Sequence, residues 1–597
     1  MSKQNGITIV VLVVTIIIML ILVGVTVTTA INGGLLKTSK SSSEETRYSE
    51  IISEIEMWES EKKSAERFGI QVETLEEFID RLKNNKILTE GEASEAKAYL
   101  RVTVAEKVIY FTKDKVVADS GLWEYKLQNN QVILTKYKGT GDLLKNVIIP
   151  NTLEINGTEY EVIQIGNGST VANFEESVTI SEGITTIGGG AFYYCQNITQ
   201  VNMPSTIKTI EWQSFRGTSS LTQITIPEGT TSIQDRAFNQ SGIKSIVIPG
   251  TVETIGWLAF CQSALSEVVI WNGVKTIADS AFSESKLKTV IIPGSVKTIG
   301  AGAFSLSRSL AELTIEEGVE TIGDGAFGDC YSLKSVEIPK SVLTIYDGTF
   351  LNCSGIREIK VSNDNPNYTS ENGILYNKDK TKIIKYPGGK TDTEFELPST
   401  VIEIGKSCFT ACHNLVKIQI PTSVGKLDSN AFVNTSKLQE INVASGNTQY
   451  LSESGVLFNK DKTEIIRWPQ AKKVTSYAMP NTVKTIKEQC FNKSNVGDLT
   501  IPSSAERIEQ YAFQSASIGN VICEEESGKG LKEIGYRAFW LSGLKEITLP
   551  STMEKIEGEA FRGCNSLTKI TIKKSENSIS GKPWNASASV IIEWTGE

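Results

Sequence analysis

The sequence predicts a repeat solenoid of the α/β type, built mostly of short parallel strands and turns, with an N-terminal transmembrane helix and a small α+β stalk before it. Three observations lead to this prediction. Fourteen phenylalanines recur between Phe192 and Phe561, mostly 22 or 23 residues apart. An Ile or Leu stands five residues before each of them. The run from Ile7 to Ile31 contains no charged residue.

The N-terminal run Ile7–Ile31 is 25 residues long. At about 1.5 Å per residue, a helix of this length spans a bilayer core of about 30 Å. A cleaved secretory signal is the alternative, because small residues at Thr28-Thr29-Ala30 offer a cleavage site, but its apolar core is unusually long. Either way the rest of the chain is delivered outside the cytoplasm. We therefore expect a single-pass protein of the cell membrane whose repeat domain is extracellular.

A more specific interpretation comes from the residues before this run. The stretch KQNGITI at residues 3–9 resembles the prepilin-type leader of type IV pilin-like proteins. The resemblance implies cleavage after Gly6, which leaves Ile7 as the mature N-terminus. Such proteins usually carry Glu at the fifth mature position, where this chain has Val11. That difference favours a plain membrane anchor over a filament subunit.

Residues 1–36 are therefore assigned to the leader and membrane helix, and residues 37–120 to the α+β stalk. Apolar residues recur at helical spacing between Ile51 and Arg67, and again on one face of a helix that begins near Thr74. Tyr99–Ala105 and Val108–Thr112 have the composition of strands. We identify no motif for catalysis or ligand binding in this region.

The repeat itself has three nearly fixed positions. Besides the Phe and the Ile or Leu, the residue before each Phe is always small, and it is Ala in ten of the fourteen copies. A strand-like run follows most copies and usually ends at Pro, which cannot continue a ladder. One coil cannot bury its own apolar edge, so neighbouring coils must stack. The repeats are assigned to residues 177–572, with caps at 121–176 and 573–597.

Two intervals between successive phenylalanines are 59 residues long. Within the first lies the string NYTSENGILYNKDKT at residues 367–381, and within the second its echo QYLSESGVLFNKDKT at residues 449–463. Each string predicts a β-hairpin that turns at Asn-Lys-Asp-Lys. The hairpins are expected as insertions near residues 361–395 and 443–477.

The repeat also carries a family resemblance. The string VETIGDGAFGDCYSL at residues 319–333 resembles the BspA-like leucine-rich repeat of bacterial surface proteins, and the likeness extends over about residues 145–572. It implies a leucine-rich repeat solenoid that attaches to extracellular proteins or to other cells, so extracellular or host and cell-surface proteins are the expected partners. The repeats show no clustered acid/base pair at fixed places, so we expect this binding to be non-catalytic. The alternative is a pilin-like structural subunit that carries the solenoid on a filament or a secretion pseudopilus.

Composition limits the chemistry. The net charge of −9 argues against nucleic acid as a partner, because phosphate contacts require a basic face. The single histidine, His413, excludes a zinc site with several His ligands within the chain. The polar run Asn363–Asn367 offers oxygen atoms for calcium, but its echo lacks the acid, so a turn is favoured. We expect no enzyme activity, no metal and no cofactor.

The nine cysteines mostly occupy repeat positions. Cys330 and Cys353 stand in equivalent places of adjacent coils, where a Cα separation of about 5 Å permits a disulfide. An odd number of cysteines and the absence of a paired framework favour buried packing thiols instead.

A binding surface is predicted on the concave face of the strands. The fifth residue of the pattern Leu-x-x-Ile-x-Ile points outward and is polar in most coils, but three successive coils carry Val247, Val269 and Ile291. Trp271 replaces the usual Pro beside them, and Glu267 and Glu312 flank them. An exposed apolar patch with a charged rim is typical of an interface. Ordinary β-propensity on a parallel ladder is the alternative explanation.

Overall fold

The computed structural model describes residues 75–85, 88, 101–104, 107–110, 117–576 and 578–596. The chain divides into two compact units, Met1–Val116 and Val117–Glu597. The predicted membrane run, with Gly6 and Ile7 before and within it, lies outside the described residues, as does the first predicted helix. Among the residues that are described, none of the helices has the length and apolar character needed to cross a membrane.

The described part of the first unit contains a helix and a strand pair. The helix Leu75–Asn84 buries Phe78, Ile79 and Leu82 completely, so its apolar face is the one expected from the sequence. Strands Arg101–Val104 and Lys107–Tyr110 pair in antiparallel register. The helix and both strands therefore form where the residue pattern predicts them, with bounds that differ by one or two residues.

The second unit begins with a strand-rich cap. Trp123–Gln128 pairs antiparallel with Gln131–Tyr137, which pairs in parallel with Thr158–Ile165. The last of these pairs in parallel with Thr186–Ile187, where the regular coils begin. The other elements of the cap are the strands Val117–Asp119, Lys145–Ile149 and Thr152–Ile155 and the 3₁₀ helices Ser120–Leu122 and Gly141–Leu144.

Most coils contribute two short parallel strands, whereas the sequence pattern predicts one. The first ladder, named the short ladder, is made of two-residue strands that end at the Ile or Leu five residues before Phe. Since its buried side chains stack in register from coil to coil, this ladder fixes the stacking of the coils. Its strands are Thr186–Ile187, Thr209–Ile210, Ser232–Ile233, Thr254–Ile255, Thr276–Ile277, Thr298–Ile299, Thr321–Ile322, Thr344–Ile345, Glu403–Ile404, Lys426–Leu427, Thr485–Ile486, Arg507–Ile508, Glu533–Ile534 and Lys555–Ile556.

The second ladder, named the long ladder, corresponds to the predicted strand. It alternates buried and exposed residues, as in Ser335–Ile338, where Val336 and Ile338 are buried. Its strands are Glu175–Ile180, Ile198–Asn202, Ser245–Ile248, Glu267–Ile270, Thr289–Ile292, Glu312–Ile315, Ser335–Ile338, Glu358–Val361, Glu394–Glu396, Lys417–Ile420, Glu440–Val443, Ser476–Ala478, Asn495–Ile501, Ser517–Cys523, Glu546–Leu549, Lys569–Ile572 and Ile591–Trp594.

The segment around the repeat Phe is a turn in every coil except that of Phe432, where it is one short 3₁₀ helix, and in none of the described coils is it an α-helix, so the α/β designation is wrong for the solenoid. Two left-handed residues flank the Phe, for example Ser280 (φ 54°) and Glu284 (φ 58°) around Phe282. Left-handed residues interrupt the backbone geometry that a right-handed helix needs. In the described part of the second unit, helical elements are limited to the two 3₁₀ helices of the cap and a third, Ser429–Phe432.

The phenylalanine rings form a column inside the coils. From Phe192 to Phe350, successive rings lie 4.9–5.9 Å apart between centroids and are nearly parallel. Backbone bonds support the column, as where the Phe282 N–H donates to the Ala303 carbonyl at 2.7 Å. The small residue before Phe is therefore buried at the contact between two coils. The leucine-rich solenoid of short parallel strands is confirmed.

Each of the two enlarged coils contains three inserted strands. In the first, Tyr368–Glu371 pairs antiparallel with Ile374–Asn377, which pairs antiparallel with Lys382–Lys385. The predicted Asn-Lys-Asp-Lys turn joins the last two strands, and a second turn at Asn372-Gly373, with φ of 51° and 76°, joins the first two. The second insertion repeats this arrangement 82 residues later, with strands Tyr450–Glu453, Val456–Asn459 and Glu464–Arg467.

The enlarged coils divide the interior into three apolar cores. The first extends from Trp123 to Ile384, the second from Ile374 to Ile466 and the third from Val456 to Ala586. Each division coincides with a buried cation: Lys385 is 1% exposed and Arg467 is 0% exposed. Both residues stand immediately before an aromatic residue, at the place where most other coils have Ala.

These cations bind backbone carbonyls. The Lys385 ammonium donates to the carbonyls of Ser407 at 3.2 Å and Thr410 at 3.0 Å. The Arg467 guanidinium donates to the carbonyls of Gln489, in the coil that follows, and Phe432, at 3.0 Å, in the coil before. Burial lowers the pKa of Arg467 to about 10, so it remains a cation at neutral pH. Arg467 therefore links the second core to the third.

Candidate binding surface

The apolar stripe is formed by Val247, Val269 and Ile291, on the long ladder. Val247 and Val269 are directly opposite each other in the parallel pair Ser245–Ile248 and Glu267–Ile270. Ile291 lies on the next strand, Thr289–Ile292, which contacts the strand of Val269. Ile291 is 42% exposed, whereas the two valines are half-buried. The structure therefore places all three on adjacent strands, with Ile291 the most accessible.

Trp271 directly follows the strand of Val269 and is 39% exposed. Most other coils have Pro at this position, which lacks an N–H. The Trp271 N–H donates to the Ile248 carbonyl at 3.0 Å, so the ladder continues one residue further here. The preceding coil approaches closely, since a Cβ at Gly273 would overlap the Gly250 carbonyl oxygen. The backbone beside the exposed indole is therefore closely packed against the coil before it.

Two exposed carboxylates flank the stripe. Glu267 begins the strand of Val269, and Glu312 begins the strand that follows Ile291. In the described part of the chain neither has an ion-pair partner. The stripe thus combines exposed apolar surface with carboxylates at its margin, which is the composition of many protein interfaces.

Another set of exposed aromatic residues was missed by the sequence analysis. Trp212 and Trp257 each stand three residues before a column Phe and are 45% and 41% exposed. The Arg236 guanidinium lies over the Trp257 ring at 4.2 Å. The sequence contains a signal for these two residues, because most coils have a small or polar residue three positions before the Phe.

The single histidine contacts a side chain of the neighbouring coil. His413 is exposed, and its Nδ1 lies 3.0 Å from the Ser436 hydroxyl. Desolvation lowers the pKa of His413, and the nearby cations Lys493 and Lys437 add to this effect. Across the described residues, His, Cys, Asp and Glu side chains form no group of three or more able to hold a metal ion.

Asn365, in the polar run that offered oxygen ligands, is completely buried. Its side-chain amide donates to the carbonyls of Pro339 and Val342, and its oxygen accepts from the N–H groups of Asn367 and Tyr368. All four bonds are internal, so Asn365 holds the start of the first insertion against the preceding coil.

All nine cysteines are free and buried. The Cys330 thiol donates to the Phe304 carbonyl and the Cys353 thiol to the Phe327 carbonyl, at 3.3 and 2.9 Å. Burial raises the pKa of Cys353 to about 12 and that of Cys330 well above its ordinary value. Because the thiolate is the reactive form, both thiols are protonated at neutral pH and act as packing residues.

Comparison with solved structures finds other leucine-rich repeat proteins. A leucine rich cell surface protein from Faecalibacterium prausnitzii is 23% identical, with 79% of this chain and 96% of that chain covered and a TM-score of 0.39. The pneumococcal vaccine antigen PcpA is 17% identical, with 80% and 98% covered and a TM-score of 0.34. A leucine-rich repeat protein from Bacteroides ovatus is 20% identical, with 79% and 98% covered and a TM-score of 0.33.

A comparison with curated proteins found no match. The family model of the BspA type leucine rich repeat region matches residues 170–288, 275–393, 389–478 and 468–590. These overlapping stretches take in the short ladder, the Phe column and both enlarged coils, and they confirm the resemblance that the repeat motif indicated. The chain belongs to the BspA-type leucine-rich repeat family.

Proposed function

We propose that the solenoid is a non-catalytic binding module of the bacterial cell surface, which attaches to extracellular proteins or to other cells. The observation that carries the proposal is the apolar stripe. Three adjacent coils expose aliphatic side chains at a position where other coils expose Thr225, Thr314 or Glu337. An apolar surface that neighbouring coils form together and that carboxylates flank favours a protein partner.

The proposed placement outside the cell depends on the N-terminal sequence. An uncharged run of 25 residues precedes the repeats and is long enough to anchor the chain in the membrane. Residues 37–120 would then serve as a stalk between the membrane and the solenoid. The BspA-type family of the repeats is compatible with a position outside the cell.

The stripe is tested by the double substitution Val269→Lys and Ile291→Lys. We expect binding to a panel of immobilised extracellular proteins to fall at least tenfold, because two ammonium groups would have to be desolvated in the interface. The free energy of unfolding should change by less than about 1 kcal/mol, since both side chains reach solvent. Binding is measured by surface plasmon resonance and stability by chemical denaturation.

The matched control places lysines at the same repeat position in other coils, as Thr225→Lys and Glu337→Lys. This variant adds at least as much positive charge outside the stripe, so its binding should remain close to that of the unmodified chain. If the stripe variant binds as well as the control, the stripe is not the binding face.

A pilin-like structural subunit is the second candidate, and the sequence before Ile7 favours it. Processing at this leader would leave Ile7 as the first residue, whereas a retained anchor keeps residues 1–6. Mass spectrometry of the N-terminal peptide from native membranes distinguishes the two. A methylated N-terminal Ile7 would support the pilin route, and a peptide that begins at Met1 or Ser2 would exclude it.

A further inference from the structure

A pocket of about 400 Å³ lies beside the second enlarged coil, away from the apolar stripe. Three of its lining residues are lysines: Lys437, Lys473 and Lys493. Its other side chains are mostly short or polar, and neither an Asp nor a Glu lines it. The pocket therefore combines three cations with hydrogen-bonding groups.

The lysines come from three successive coils that the insertion brings together. Lys437 follows Phe432, and Lys493 follows Phe491. Lys473 ends the loop that follows Trp468, and this loop is fixed on both sides. The Ala471 N–H donates to the Leu438 carbonyl at 2.8 Å, and Lys473 forms a parallel bridge with Asn495. Backbone contacts thus set the position of the loop that carries Lys473.

Neutral acceptors hold two of the ammonium groups. Lys493 donates to the Asn434 side chain at 2.8 Å, and Lys437 to the Asn414 side chain at 3.4 Å. Within the described part of the chain, none of the three lysines has a carboxylate within ion-pair distance. The chain as a whole has a net charge of −9. Because no carboxylate among the described residues neutralises these three ammonium groups, they produce a local positive potential that attracts an anionic ligand.

The first enlarged coil provides an internal comparison. It precedes the second by 82 residues and has the same strands and the same loop contact, since the Gly389 N–H donates to the Ile356 carbonyl at 2.6 Å. There the counterparts of the three lysines are Gly355, Thr391 and Ala411. The architecture of an enlarged coil therefore does not require the cations.

We propose that this pocket binds an acidic saccharide, a sugar that carries a carboxylate or a sulfate group. The lysines supply point charges for the anion. Ser436 and Gln439, which also line the pocket, can donate to and accept from hydroxyl groups. The volume equals that of about 13 water molecules at ~30 Å³ each, which is more than a simple oxyanion fills. It falls in the range of pockets that hold organic ligands.

The test is calorimetric titration of the full chain with three probes: a sulfated uronic-acid disaccharide, a neutral disaccharide and inorganic sulfate. We expect the acidic disaccharide to bind at least tenfold more tightly than either of the others. The triple variant Lys437→Gln, Lys473→Gln and Lys493→Gln should lose at least tenfold of this affinity. The corresponding Lys→Arg variant, which keeps the charges, should lose less.

The control variant removes three exposed lysines from other coils, as Lys208→Gln, Lys275→Gln and Lys340→Gln, and should bind like the unmodified chain. Equal binding of the neutral disaccharide would overturn the proposal, and so would equal binding of sulfate alone. Tighter binding of a short Asp/Glu peptide would assign the pocket to a protein ligand instead. A triple Gln variant with full affinity would place the binding elsewhere. None of these outcomes depends on the apolar stripe.

Discussion

Replacement of Phe327 by Ala should lower the free energy of unfolding by about 3–5 kcal/mol. The Phe327 ring is completely buried, and it stacks between Phe304 at 5.6 Å and Phe350 at 5.9 Å. Its removal leaves a cavity in the middle of the column, which rigid coils on both sides can close only in part. It also removes two aromatic contacts, each of which contributes about 0.5–1.5 kcal/mol beyond area burial.

The measurement is chemical denaturation followed by circular dichroism. The control is Tyr346→Ala, which truncates an aromatic side chain in the next coil that is 51% exposed. We expect less than about 1 kcal/mol for this control, since its ring contributes little to the core. A loss below about 1 kcal/mol for Phe327→Ala would mean that the ring column does not hold the coils together.

Replacement of Arg467 by Ala should destabilise the chain by about 2–4 kcal/mol and weaken the link between the second and third cores. The substitution leaves the buried carbonyl of Phe432 and the half-buried carbonyl of Gln489 without this donor, and a buried unsatisfied acceptor costs about 1–3 kcal/mol. Relief from burying a cation without a carboxylate offsets part of this cost.

Because each coil of a solenoid contacts only its neighbours, the loss should be local. Hydrogen exchange read by mass spectrometry should show faster exchange in the coils after Arg467, with the coils before Lys385 unchanged. The control is Arg467→Lys, which should retain most of the protection because the first enlarged coil already holds a lysine, Lys385, at the same place. Uniform acceleration along the whole solenoid, or greater stability of the Ala variant, would contradict this role for Arg467.

The ring column shows what the sequence predicts and what it cannot. The fourteen phenylalanines were found because their spacing is regular, and hydrophobic burial at fixed intervals leaves that regularity in the sequence. Tyr386 and Trp468 continue the column in the enlarged coils, where each N–H donates to the carbonyl before the next Phe. They were missed because they stand three residues after Ile383 and Ile465, not five, and neither is Phe. The buried cations beside them were missed for the same reason.

The two candidate sites differ in whether the sequence alone can reveal them. The stripe was predictable because Val247, Val269 and Ile291 share one repeat position, so the register alone brings them together. The exposed fraction of each was not predictable, since it depends on neighbouring strands. The lysine pocket was not found from the sequence because Lys437, Lys473 and Lys493 occupy unrelated positions of their coils. Only the path of the inserted loop makes them neighbours.

The backbone bonds of both ladders and of the Phe turns join one coil to the next, and so they lie along the direction in which the coils are stacked. A force that separates the first coil from the last would therefore load these bonds one row at a time, as in opening a zipper. Each released coil of 22 or 23 residues would add about 75 Å of extended chain at about 3.4 Å per residue. A solenoid built in this way would lengthen in steps under traction, and the two buried cations lie at the rows where one apolar core ends and the next begins.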